Sequence, residues 1–414
     1  MFNLLKPNPS EEKMKSKKLG LASGVIAAAM LVTGLTMPAA QAATTVTIWT
    51  DLDRASAFQS WAKAFNRKNK SIVVNVIGKD GHKDKLKTVS DADAPDIIVG
   101  AHDWVGPLQS DGSILPLTIA NASQFDKRDK DAFKLGGATY GVPVAVENVA
   151  LFRNANLVPK APKTMADIES DCKKFFKKNK KAKFCLAVSP GDAYHMYPFF
   201  SGLGGYIFGG SSGNWNTNKL GIANSKFIKN STLIDKWYRE KLFNVNVTGD
   251  TALAAFTGKQ APYMITGPWN LDKIRLKNIN YEMSPFPTVA KGFKAVPFYG
   301  VQGAMRTKWA SPGKHKNVLQ VNQVLKDLTT KDAQLRIANL TIRTPANKLA
   351  RASFKDPDSA SFFKAGEGAI TMPQILAMGA VWSPLANAWS QVKTEKLASK
   401  RFKKAQSTIS KAIK

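Results

Sequence analysis

The sequence predicts an α/β protein of two domains with mainly parallel sheets and flanking helices. Three observations point there. Strand-like and helix-like segments alternate from the first apolar run onward. The early strands are short and apolar on both faces, as strands buried within a sheet are. Once a leader is set aside, about 370 residues remain, more than one hydrophobic core usually supports.

The elements follow in order. Thr44–Thr50 alternates β-branched residues and reads as the first strand. Arg54–Asn69 places Phe58, Trp61, Ala62 and Phe65 at helical spacing, giving an amphipathic helix. Ser71–Ile77 and Ala94–Gly100 are the second and third strands. Ligands of such sheets lie beyond the carboxyl ends of the strands. Those ends carry the polar clusters Asp51-Leu52-Asp53-Arg54 and Ala101-His102-Asp103-Trp104. Tyr140–Asn154 is one long extended stretch, read as a crossing between domains, and Pro285, Pro287 and Pro297 punctuate a second. Helices are expected near residues 164–180 and 232–241. Phe256–Trp269 reads as a helix end, a strand and a Gly-Pro-Trp turn. A final helix presents Leu397, Phe402, Ala405, Ile409 and Ile413 on one face.

Residues 1–42 read as a secretory signal, with Met14 as an alternative initiator. From Met14 onward a Lys-rich start leads into an apolar middle and the small-residue site Ala40-Gln41-Ala42. The apolar run is broken by Gly, Ser, Thr and Pro, which disfavours a permanent membrane span. An exported, soluble chain beginning near Ala43 is therefore expected. No Cys lies near the cleavage site, so a lipid-anchored form is not expected.

The whole chain carries 60 basic and 30 acidic residues. Without the leader 55 and 28 remain, a net charge of +27. Nucleic acid is one partner such a charge admits. Export argues against it, and so does the spread of Lys along the chain. The one dense block, Lys173 to Lys183, holds seven Lys with Phe175, Phe176 and Phe184 interleaved, as on a helix with a buried stripe. Retention near anionic polymers of the cell envelope is the expected use of the charge. Cys172 and Cys185 are the two cysteines, and in an oxidising compartment an even pair reads as a disulfide. It would close a short loop, worth roughly 3 kcal/mol. Two free buried thiols are the alternative, and the spacing fits no metal site. No cofactor motif is present, and Gly-x-x-x-x-Gly-Lys-Ser/Thr does not occur.

An ordered set of short motifs then carries a resemblance across residues 44–414. It comprises Ala94-Pro95-Asp96-Ile97-Ile98, Ala101-His102-Asp103, Tyr140 to Glu147, Pro162-Lys163-Thr164 and Gly204-Gly205-Tyr206. It continues with Phe256-x-Gly258-Lys259-x-Ala261, Met264-x-x-Gly267-Pro268-Trp269 and Met372-Pro373. In these the chain resembles the maltose/maltodextrin-binding proteins of bacterial ABC importers, within the family 1 extracellular solute-binding proteins. The resemblance implies a two-lobed periplasmic-binding-protein-like fold of type II, closing on sugar by a hinge. It implies an N-terminal lobe of residues 43–146 and 300–347 and a C-terminal lobe of 147–299 and 348–414. It implies as partners a maltodextrin-type sugar and membrane permease subunits, for a monomer with no nucleic-acid role.

The resemblance also assigns residues. Trp269, Trp382 and Tyr194 match aromatic platforms for glucose rings, and a pyranose offers an apolar C–H face that an indole covers. Asp53, Asp103 and Glu147 match acceptors for sugar hydroxyls, and Asp192 falls where Glu is usual. Arg54 falls where Lys is usual. Gly100 and Trp104 stand where well-studied members have Trp and Arg, as though one indole had moved along the strand end to Trp104. Ser383 and Ala386 replace an aromatic and an Arg. Plainer roles stand beside these. Asp53 and Arg54 would pair at a helix start, Asp103 would cap a helix, and His102 and His195 would be packed or surface residues. A glycoside hydrolase built on Asp103 and Glu147 is the rival from another class. A binder of trehalose or another oligosaccharide is the rival within binding.

Overall fold

The computed structural model describes residues 42–211, 213–392 and 397–414. The signal segment and Met14 lie outside the described residues.

The first expected strand is Thr44–Thr50, and it pairs in parallel with Ile72–Gly78 on one side and Ile97–Ala101 on the other. The helix between the first two runs from Leu52 to Lys68 and starts two residues earlier than expected. Asp51 explains the start, because its side chain accepts from the Arg54 amide as an N-cap. Phe298–Arg306 then joins antiparallel to Ile97–Ala101, and Val142–Glu147 antiparallel to it in turn. Thr344–Pro345 closes that edge, and Ile370–Thr371 adds to Phe298–Arg306, for seven strands.

Both faces of this sheet are covered, as the apolar strands required. Val46, Ile48 and Val99 face one core with Phe58, Trp61, Val321 and Val324 from the helices. Trp49, Ile98 and Met305 face another with Val105, Phe133 and Trp309. The alternation of neighbouring residues between two cores is the period of a strand.

A second sheet has four strands in the order Tyr281–Ser284, Ala150–Asn154, Tyr263–Thr266 and Leu186–Ala187. Only its last pairing is parallel. The mainly parallel character expected is thus concentrated among the first three strands of the larger sheet. Strands that arrive by crossing from one sheet to the other run back along their neighbours. Tyr140–Asn154 shows how. The stretch splits into Val142–Glu147 in the larger sheet and Ala150–Asn154 in the smaller, and Asn148 and Val149 make the passage.

Around the smaller sheet, Met165–Lys178 begins with a full capping box between Thr164 and Asp167. It buries Ile168, Cys172 and Phe175, while all seven Lys of the 173–183 block are exposed. Cys172 and Cys185 form a disulfide at a Cα separation of 5.6 Å, tying this helix to the strand that follows. The last helix, Ala398–Ala412, docks through Ala398, Phe402, Ala405 and Ile409. Among the described residues, no helix is long and apolar enough to cross a membrane.

Candidate ligand-binding cleft

A cleft of about 360 Å³ lies between segments of the two sheets. From the larger sheet's side come Lys83, Asp103, Trp104 and Gln302, with Glu147 at the crossing. From the other side come Asp192, Tyr194, Trp269, Met372 and Trp382. Seven of the nine residues singled out in the sequence therefore meet in one space. A larger depression of about 740 Å³ between the Leu52–Lys68 and Lys331–Thr341 helices holds none of them.

The two indoles at opposite sides are seated by the same device. A Cβ on Gly267 would stand 2.2 Å from the Trp269 ring, and one on Gly100 would stand 2.1 Å from the Trp104 ring. Each ring therefore lies directly on backbone, and glycine is required for that close approach. The Trp104 ring occupies the space a side chain at position 100 would take. Lys83 sits over its face, with Nζ 5.5 Å from the ring centre, and the His82 ring meets it edge-on.

On the other side, Asp192 caps the Ala193–Gly202 helix by accepting from the amides of Tyr194 and His195. Its second oxygen pairs with His195 Nδ1 at 2.7 Å. Burial acts upward on this carboxyl, yet His195 and the two amides outweigh it and hold it below the usual carboxylate range. The His195 ring meets Trp269 edge-on at 5.5 Å, so Asp192 orients an aromatic platform through His195. The Tyr194 hydroxyl is buried and has no hydrogen-bond partner among the described residues. Burial, then Glu147, Asp192 and Asp103, raise its pKa well above the ordinary tyrosine value, so it stays a neutral donor.

Trp382 opens the Trp382–Ser390 helix, and its Nε1 donates to Asp103 across the cleft at 3.1 Å. Asp103 makes no helix cap; it lies in a 3-10 turn and faces Trp382 instead. His102 beside it is fully buried, accepting from the Val301 amide through Nδ1 and bonded to the Met372 carbonyl through Nε2. Burial lowers its pKa, so it is a neutral imidazole of fixed tautomer.

Two predicted site residues are placed differently. Arg54 is 5% exposed and lines no part of the cleft. Its guanidinium is spent on Asp51 and Gln302. Burial and then repulsion from Arg343 lower its pKa to about 9. Asp53 pairs with Arg343 at 2.5 Å rather than with Arg54. The buried Arg343 also donates to Glu147 at 2.7 Å, and Gln302 donates to the other Glu147 oxygen at 2.5 Å. Glu147 was expected to need a partner, and it has two. Arg343, Gln302 and Lys83 were absent from the sequence-based site, because each lies far along the chain from the carboxylates or ring it meets.

The fold and the cleft together define the class of two-lobed solute-binding proteins. The chain belongs to the family of bacterial extracellular solute-binding proteins, whose model matches residues 60–363. Among curated relatives it is 25% identical over 355 residues to a maltooligosaccharide ABC transporter solute-binding lipoprotein of Streptococcus pneumoniae, covering 83% of this chain and 82% of that one. It is 26% identical over 301 residues to the maltodextrin-binding protein MdxE of Bacillus subtilis, covering 70% of each chain. It is also 26% identical over 269 residues to a galactooligosaccharide-binding protein of the same bacterium, covering 62% of each. The pneumococcal relative is a lipoprotein, so the expectation that this chain lacks a lipid anchor finds no support in that comparison.

Proposed function

We propose that this protein is the extracytoplasmic sugar-binding component of an ABC importer, taking maltose- or maltodextrin-type α-glucans and delivering them to a membrane permease. The observation that carries this is the meeting of Trp104, Trp269 and Trp382 with Asp103, Glu147 and Asp192 in one cleft. Flat rings cover pyranose faces, and carboxylates accept from the hydroxyls around the rim. Tyr194 supplies a hydroxyl that lacks any other partner among the described residues. Asp53 and Arg54 act from behind, by fixing Arg343, Gln302 and through them Glu147.

The lobes are residues 43–146 with 300–347 and 147–299 with 348–414, hinged at the passage through Asn148. Sugar that touches both lobes favours the closed arrangement by its differential affinity, and the closed monomer is what the permease receives. The protein has no hydrolytic role of its own. A glycoside hydrolase needs one carboxylic acid to give a proton. Both oxygens of Glu147 already act as acceptors, and Asp103 accepts from Trp382.

Calorimetry with maltose, maltotriose, trehalose and a galactotriose tests the reading. The α-glucans are expected to bind most tightly, and preference for galactotriose or trehalose would overturn the assignment. Incubation with maltotriose is expected to release no glucose.

A further inference from the structure

A second, larger groove of about 550 Å³ lies beneath the hairpin formed by Tyr206–Ser211 and Asn214–Gly221. Its far wall is Phe298 with the Ile370–Thr371 strand. Tyr206 is 40% exposed, and its ring rests on Gly221, where a Cβ would stand 2.4 Å from the ring. That is the device which seats Trp104 and Trp269 in the cleft. Tyr197 is 3% exposed and stacks on Phe298 at 3.5 Å. Burial pushes the pKa of its hydroxyl above the ordinary tyrosine value, so it stays a neutral group.

The groove backs onto the cleft without opening into it. Met372 lines the cleft, while its neighbours Thr371 and Pro373 line the groove. Phe298 stacks on Tyr197 at one side and on Tyr194 at the other. Among the described residues no carboxylate lines the groove, and the one guanidinium there, on Arg128, already donates to Thr371 Oγ1 and the Ala369 carbonyl. Such a lining suits a neutral ligand with a flat apolar face and hydroxyl edges.

We propose that the hairpin groove is a second saccharide site, holding one short neutral oligosaccharide against the Tyr206 ring beside the half-buried Trp215 indole, weaker than the cleft because its described lining offers no carboxylate acceptor. The proposal takes its ligand class from the functional reading above, and one experiment separates the two. Equilibrium dialysis of the full chain with labelled maltotriose, from micromolar to millimolar, is expected to show a tight and a weak class of binding. Tyr206→Ala is expected to weaken the weak class at least tenfold, as is Gly221→Ala, whose methyl displaces the ring. The tight class should be unchanged in both, which also reports that the variants fold. Trp269→Ala should do the reverse. Binding with no component sensitive to Tyr206→Ala overturns the second site. A Tyr206-dependent component with no tight class leaves the second site standing and overturns the reading of the cleft.

Discussion

The two sides of the cleft solve one recognition problem with different materials. The side built on the larger sheet is a web of charge, in which Arg343 joins Asp53 to Glu147 and Gln302 joins Glu147 to Arg54. The other side is a set of rings, in which Tyr194, His195 and Trp269 lean on one another. Buried charges are costly to leave alone, so the first side holds its acceptors by mutual neutralisation. Rings carry no such cost and need only geometry. Stability should therefore depend on the first side and affinity on the second.

The comparison breaks most visibly at Glu147. Glu147→Ala leaves Arg343 buried with half its partners, and unfolding stability is expected to fall by about 3–5 kcal/mol in urea titrations. A loss below about 1 kcal/mol would show that the web is not structural.

The charged side should also carry the pH dependence. Burial pushes the Asp129 carboxyl up to about 6, against the opposing pull of the Tyr299 hydroxyl and Arg351. A raised acid binds its proton more tightly when folded, so its contribution is present below the unfolded value near 4 and is lost as pH rises through 6. About 3 kcal/mol of stability should disappear across that window. Asp129→Asn should flatten this slope, and an unchanged slope would assign it elsewhere.

On the aromatic side, Trp269→Ala should cost about 2–3 kcal/mol of maltotriose affinity, roughly 30- to 150-fold. The urea midpoint should move little, since the ring is only half-buried. On the larger sheet's side, which contributes one indole, Gly100→Ala should give the smallest effect, about tenfold in affinity, because the new methyl would meet the Trp104 ring and tilt it off the backbone. Fluorescence titration checks both. Equal losses of stability and affinity in either variant would dissolve the distinction between the sides.

Much of this was legible from local pattern. The Gly-Pro-Trp turn marked Trp269, the strand ends marked Asp103 and Trp104, and an even cysteine count in an exported chain marked the disulfide. What local pattern cannot show is which distant charge a buried charge meets. Asp53 and Arg54 are adjacent and read as a pair, yet Asp53 reaches Arg343, 290 residues away, and Arg54 folds back on Asp51. Arg343 sits between Ile342 and Thr344 with no motif around it. The stretch Tyr140–Asn154 reads as a crossing and is one; where within it the chain changes sheet is not legible, because both halves are equally extended and apolar and only pairing distinguishes them.

The seating of indoles on glycine has an evolutionary consequence. A platform supported by side chains needs its whole neighbourhood replaced before it can relocate. One supported by main chain needs two exchanges, glycine for the ring at one position and the ring for glycine at another. In this chain the glycine stands at position 100 and the ring that rests on it at position 104, four residues along one strand end. The places along the cleft where successive sugar rings come to rest are thereby free to slide while the cores on either side stay untouched, so ligand preference can diversify faster than the fold that bears it.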